Sequence, residues 1–173
     1  RRFRVRGIYI IKGIAMERIG SGYDIHLLVE GRKLILGGVE IPFPKGLLGH
    51  SDADVLTHAV CDALLGALGK GDIGEHFPDT DPQYKDISSL VLLKKVKELM
   101  DHEGYQIMNI DTIVIAEKPN LKSVKAQIRS SLAQNLNIKE NAVNIKAKTN
   151  EGLGFGPKAE EAIAAYAVVL LSK

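Results

Sequence analysis

The sequence predicts an α+β fold: a mixed β-sheet with helices packed on one face, plus a β-hairpin. Three observations lead there. Alternating or wholly apolar runs near residues 18–28, 107–117 and 143–148 read as strands. Amphipathic repeats near 52–69, 88–103 and 121–136 read as helices. The two kinds interleave along the chain, which favours helices laid over a sheet. At 173 residues a single domain with a real core is expected.

Composition narrows the function classes. There is no Trp, and only five Tyr and four Phe, so the core should be aliphatic. Five of the 23 basic residues lie in the first fifteen positions, which contain no acid. The rest of the chain has 18 basic and 21 acidic residues, a balance that argues against a nucleic-acid surface. Cys61 is the only cysteine, so an intrachain disulfide and cysteine-rich zinc sites are excluded. A reducing compartment fits this usage. No apolar run is long enough to span a bilayer, so no membrane partner is expected.

Residues 1–15, RRFRVRGIYIIKGIA, form a basic extension before Met16. They read as a tag or upstream residues, with a targeting-peptide remnant as the rival reading. Residues 16–173 are expected to form the one domain. In RIGSGYDIHLL, residues 18–28, alternation places Asp24 and His26 on one side of a first strand. A D-x-H pair of this kind can chelate a metal, or it can be an ordinary surface pair. Gly20 and Gly22 do not complete a dinucleotide fingerprint, because Ile25 occupies the third glycine position.

Lys33–Leu36 and Val39–Ile41 flank Gly37-Gly38, the signature of a type I′ or II′ hairpin. A loop with Pro42, Pro44 and Gly46 then delivers His50 to a helix over about 52–69, with Ser51 or Asp52 as its cap. In this helix Asp54, His58 and Asp62 recur every four residues on one face. Leu56, Val60, Ala63, Leu64 and Ala67 lie on the other. A solvated polar face with an incidental histidine competes with a functional reading here.

Residues 71–84, GDIGEHFPDTDPQY, read as an acidic loop whose length favours function but whose spacing fails an EF-hand. The helix at 88–103 buries Leu90, Leu93, Val96, Leu99 and Met100 and ends at Gly104. Ile107–Glu117 is largely apolar, hence a central strand. Lys118-Pro119-Asn120 breaks it before a helix buried through Leu121, Val124, Ile128, Leu132 and Leu136. Val143, Ile145 and Ala147 mark a last strand. After the glycine-rich turn at 152–156, Pro157 opens a final helix packed through Ile163, Tyr166, Ala167 and Leu170. That turn is either flexible or a close approach to a phosphate.

Asp24 and His26 on a strand, with His58 on a helix, are the usual three-ligand inventory of an open zinc site. Asp62, one turn on, can accept from the other nitrogen of a ligating imidazole. Glu151 can hold a harder cation such as Mg²⁺. A metal site of this kind suits phosphoryl transfer. Cys61 reads as a packing residue.

The motifs RIGSGYDIH, LILGGVEIP, KGLLGHSDADVLTHAVCDALLGA, GDIGEHFPDTDP and KTNEGLGF occur in that order, and the resemblance they carry spans nearly all of residues 18–171. In them the chain resembles the 2-C-methyl-D-erythritol 2,4-cyclodiphosphate synthase family of non-mevalonate isoprenoid biosynthesis. The resemblance implies conversion of 4-diphosphocytidyl-2-C-methyl-D-erythritol 2-phosphate to the cyclic diphosphate with release of CMP. It implies a homotrimer with active sites between subunits, in the bacterial cytoplasm or, in a photosynthetic eukaryote, the plastid. It assigns Zn²⁺ to Asp24, His26 and His58, and Mg²⁺ or Mn²⁺ to Glu151.

His50 and Thr149 are implied to stabilise the phosphates, and Asp62 to orient the zinc site or substrate. Asp72, Ile73, Gly74, Phe77, Pro78, Asp79, Thr80 and Asp81 are implied to line the methylerythritol end, and Asp24, His26 and Ser51 to contact substrate. Ala116, Asn120, Leu121 and Lys122 cradle cytosine by the same resemblance, with Lys148, Asn150, Phe155 and Lys158 also near substrate. Lys158 stands where the family often carries arginine near an axial cavity, so charge is kept and bidentate geometry lost. Asn120 stands where lysine is common. A zinc-dependent nucleotide hydrolase is the alternative, though H-E-x-x-H and the deaminase cysteine pair are absent.

Overall fold

A computed structural model describes residues 2–5, 8–11, 16–153 and 161–173. Strands β1 (Arg2–Val5) and β2 (Ile8–Ile11) pair antiparallel. The main sheet is built from β3 (Glu17–Glu30), β6 (Lys45–Leu47), β7 (Gln106–Ile115), β8 (Val143–Lys148) and β9 (Ala162–Ser172). Their order is β6-β3-β9-β7-β8, with β7 and β8 parallel and the other pairs antiparallel. A separate hairpin joins β4 (Leu34–Leu36) to β5 (Val39–Ile41). Gly37 and Gly38 both have positive φ, 58° and 74°, as a type I′ turn requires. Of the helices, α1 (Val55–Leu68) lies across β3 and β9, α3 (Ser89–His102) packs on α1, and α4 (Lys125–Leu136) packs beside β8. The expected class, a mixed sheet with helices on one face and a hairpin, is the observed one.

Several elements differ from expectation, each for a physical reason. The final helix is instead β9, the middle strand of the sheet. Ile163, Ala165, Ala167, Val169 and Leu171 are buried while Tyr166 and Val168 are exposed, a period of two. Its alanines favour a helix locally, but hydrogen bonds to β3 and β7 on both edges outweigh that preference. β7 is therefore interior rather than central. The proline-rich stretch before His50 contains β6, too short to show a period. The loop at 71–84 holds a one-turn helix, α2 (Ile73–His76), capped by Asp72, and a 3-10 turn at Pro82–Tyr84 capped by Asp81.

α1 starts later than expected, and its cap is Asp54 rather than Ser51 or Asp52. It is also buried nearly all round. Only His58 and Asp62 are partly open within the run from Val55 to Leu65. Leu56, Leu64 and Leu65 are fully buried, each contributing about 1.5–3 kcal/mol over an exposed position. Tertiary packing thus holds this helix, and capping adds roughly 1 kcal/mol. No helix among the described residues is long and apolar enough to cross a membrane.

Candidate active site

On β3, Gly20, Gly22, Asp24 and His26 share the side that faces α1. A Cβ at Gly22 would lie 1.9 Å from the Ala59 carbonyl oxygen, and one at Gly20 would lie 1.9 Å from that of Ala63. The G-x-G pair is therefore a track on which α1 rides directly against strand backbone. That close approach sets His58 above Asp24 and His26. Gly22→Ala is expected to lower unfolding free energy by about 3 kcal/mol, because backbone must move to admit the methyl group. Urea denaturation checks this; a loss below about 1 kcal/mol would show that the track is not tight.

Asp54 tethers the other end of that helix. Its carboxylate, fully buried, accepts from Thr57 N (3.0 Å), Thr57 Oγ1 (2.7 Å), Gly37 N (2.9 Å) and Gly38 N (2.6 Å). One side chain thus caps α1 and fastens the hairpin turn to it. Burial pushes its pKa up, and the four donors oppose that shift. Asp54 consequently serves the framework rather than the polar face on which its spacing places it.

Three ligand-type atoms converge. His26 Nε2 lies 2.8 Å from Asp24 Oδ2, His58 Nδ1 lies 2.9 Å from the same oxygen, and the two nitrogens are 3.3 Å apart. The ligands of a tetrahedral zinc, at about 2.0–2.1 Å from the metal, sit about 3.3 Å from each other, so this triangle fits a metal with slight opening. The second nitrogens are already committed. His26 Nδ1 donates to the Leu48 carbonyl at 2.8 Å, and His58 Nε2 contacts Ser89 Oγ at 2.8 Å and Ser51 Oγ at 3.2 Å. With the outer nitrogens engaged in this way, His26 Nε2 and His58 Nδ1 would each be able to give a lone pair to a metal. Asp24, His26 and His58 are the one such cluster among the described residues.

Electrostatics agree with the geometry. Burial alone would raise Asp24, but hydrogen bonds and charge from His26 and His58 outweigh it and hold the carboxyl well below its ordinary range. For His26, burial disfavours the cation, and the Asp24 hydrogen bond and charge more than offset it, raising the pKa. A half-buried carboxylate kept ionised in this way can serve as a ligand to a divalent cation.

The cluster opens into a cleft of about 490 Å³. Its wall includes His50, Ser51, Asp62, Ile73, Gly74, Phe77, Pro78 and Asp79 from the expected set, with Tyr84 and Leu92 as additions. Asp62 does not take the second nitrogen of His58. Its Oδ1 accepts from Ile73 N at 2.8 Å and so positions the start of α2. Burial raises its pKa, and the charges of Asp72 and Asp24 add to that rise. His50 Nε2 donates to the Asp81 carbonyl at 3.2 Å, tying the acidic loop to the cleft rim. Asp81 itself accepts from Gln83 N and Asp72 from Glu75 N, so both carboxylates cap turns. Thr80 is exposed. Phe77 meets Tyr84 edge to face at 5.4 Å, and the Lys95 ammonium sits 5.2 Å from the Tyr84 ring centre.

A second cleft, about 330 Å³, is lined by Ala116, Glu117, Pro119, Asn120, Leu121, Ala147, Lys148 and Thr149. Asn120 Oδ1 accepts from Lys122 N, closing the turn. Thr149 Oγ1 donates to Glu151 Oε1 at 2.7 Å. Glu151 has φ +53°, a strained value for a non-glycine residue. Glu117 holds that turn by accepting from Asn150 N (2.7 Å) and Gly152 N (3.3 Å). Phe155 and Lys158, with the rest of residues 154–160, lie outside the described residues.

The two clefts are apart on one chain. Register places Asp24, Ala165, Val114 and Ala147 in one row across four strands, so Asp24 and Ala147 are about 14 Å apart at the usual strand spacing. Sequence reasoning missed Ser89, Leu48 and Glu117. Ser89 follows Ser88 at the start of a helix, where a serine signals only a cap, and the other two act through backbone carbonyl or amide contacts.

Cys61 is fully buried, and burial pushes its thiol pKa well up, so it packs rather than reacts.

Comparison with known proteins follows the same lines. A YgbB family profile matches residues 17–172. A 2-C-methyl-D-erythritol 2,4-cyclodiphosphate synthase from Caldicellulosiruptor bescii is 58% identical over 156 residues, which is 90% of this chain and 99% of that one. A solved 2C-methyl-D-erythritol-2,4-cyclodiphosphate synthase in its CDP-bound form matches with TM-score 0.82 at 40% identity, covering 89% of this chain and 99% of that one. The bifunctional IspDF from Campylobacter jejuni gives TM-score 0.87 at 42% identity; the match covers 91% of this chain and 42% of that longer one.

Proposed function

This chain belongs to the YgbB family and has 2-C-methyl-D-erythritol 2,4-cyclodiphosphate synthase activity in the non-mevalonate isoprenoid pathway; from that premise we propose how its residues perform the reaction. The observation that carries the reading is the convergence of Asp24, His26 and His58 at the mouth of the larger cleft. Asp24 Oδ2, His26 Nε2 and His58 Nδ1 would hold Zn²⁺, and Glu151 would hold Mg²⁺ or Mn²⁺. Bound there, the cations neutralise the phosphates and polarise their oxygens.

The substrate's 2-phosphate oxygen attacks the β-phosphorus of its cytidine diphosphate group. The bond from that phosphorus to the bridging oxygen breaks, and the electron pair leaves on the α-phosphate of CMP. The nucleophile is already an anion, so no general base is needed. His50 and Thr149 donate hydrogen bonds to the phosphate oxygens. Asp62, Ile73, Gly74, Asp72, Phe77, Pro78, Asp79, Thr80 and Asp81, with Ser51, orient the methylerythritol end. Ala116, Asn120, Leu121, Lys122, Lys148 and Asn150 receive the nucleotide.

The separation of the two clefts supports assembly as a homotrimer, each metal cleft completed by the nucleotide cleft of a neighbour. The open face of the sheet supports the same assembly. Ile19, Tyr23, Ile25, Leu27, Tyr166 and Val168 expose between 42% and 73% of their surface on it, and the tilted rings of Tyr23 and Tyr166 lie 4.6 Å apart. An apolar face of this extent suits burial between copies.

The test is a CMP-release assay with phosphorus NMR on metal-replete protein. Cyclic diphosphate and CMP in equal amounts are expected, with loss of turnover on chelation. A linear product that has taken up water would support a zinc nucleotide hydrolase instead.

A further inference from the structure

Resting on the metal reading above, we propose that Ser89 and Asp52 form a positioning relay that fixes the ring and tautomer of His58 for metal binding. Neither residue touches the expected metal. With Nδ1 given to the metal, Nε2 carries the proton and would donate it to Ser89 Oγ, 2.8 Å away. The Ser89 hydroxyl in turn donates to Asp52 Oδ1. The chain of donors runs one way, from imidazole through hydroxyl to carboxylate.

Each member is held independently. Ser89 is fully buried, and its backbone N–H donates to Asp52 Oδ2 at 3.1 Å. Asp52 also accepts from Asp54 N at 3.3 Å, and its own N–H donates to the Ile87 carbonyl at 3.0 Å. The relay therefore joins the loop before α1 to the first turn of α3. Ser51 Oγ is a weaker alternative acceptor, at 3.2 Å from Nε2 and already accepting from Ala53 N. A carboxylate acting through a hydroxyl does two things for a ligating imidazole. It makes the ring more electron-donating, and it prevents the ring from rotating away in the metal-free state.

The experiment measures zinc affinity by chelator competition in wild type, Ser89→Ala, Asp52→Ala and the double variant. Thermal melts of the chelated proteins run alongside. Ser89→Ala is expected to weaken zinc about 10–100-fold, the usual cost of losing such a support. Asp52→Ala is expected to weaken zinc in wild type but to add less than about twofold once Ser89 is alanine, because the two act in series. A merely structural role would lower the melting temperature of the chelated proteins and leave zinc affinity alone.

Zinc-loaded wild type supplies a readout independent of any variant. Its spectrum should show a slowly exchanging His58 Nε2–H resonance with a cross-peak to the Ser89 β-protons. Zinc affinity unchanged within about twofold in Ser89→Ala, additive losses, or a fast-exchanging Nε2–H would overturn the relay. Wild-type protein that binds no stoichiometric zinc would overturn the metal reading as well, which separates the two failures.

Discussion

His58→Ala enzyme is expected to lose stoichiometric zinc and at least about 10³ of its turnover while remaining folded. The loss follows from geometry. Without the imidazole, Asp24 Oδ2 and His26 Nε2 remain 2.8 Å apart as a two-atom chelate, too few donors for a tight site. Turnover falls with the metal, because two phosphate anions must approach and the charge that offsets their repulsion is gone. The fold survives because α1 is anchored by Leu56, Val60, Leu64 and Leu65, all fully buried. Metal analysis, circular dichroism and CMP release together decide the matter. Retained zinc at one equivalent would remove His58 from the ligand set.

Asp54→Ala should produce the opposite pattern, a protein damaged in stability first. The carboxylate satisfies four donors, two of them in the hairpin turn and two in the first turn of α1. Its removal leaves those donors buried and unpaired, for a loss on the order of 3–5 kcal/mol. Urea unfolding of chelated protein measures this without a contribution from the metal. Asp54→Asn keeps one oxygen but turns an amide toward an N–H, so it should fall between alanine and wild type. A stability within about 1 kcal/mol of wild type in Asp54→Ala would mean that the hairpin and helix dock without the tether.

The contrast between these two residues shows what spacing can and cannot say. Asp54, His58 and Asp62 look equivalent at four-residue intervals. Tertiary contacts then divide them: Asp54 to the hairpin, His58 to Asp24 and Ser89, and Asp62 to the amide of Ile73. The pair at Gly20 and Gly22 is similar. Sequence shows that it is not a dinucleotide motif, and only the helix lying 1.9 Å from their absent Cβ atoms explains why glycine stands there.

The sequence by itself determined the side of the strand on which Asp24 and His26 lie, the hairpin turn at Gly37-Gly38, the placement of most helices and the residue types able to bind a metal. These are local properties, set by the periods of strand and helix, by the conformational freedom of glycine and by side-chain chemistry. Tertiary structure alone decided the last element and the support of the site. Residues 162–172 are a strand because β3 and β7 pair with both of its edges, and those partners are distant in sequence. Ser89 serves His58 because α3 packs against α1, bringing a hydroxyl from 31 residues away to within 2.8 Å of the ring. Local propensity carries no information about such a meeting, since packing of buried faces selects which segments become neighbours.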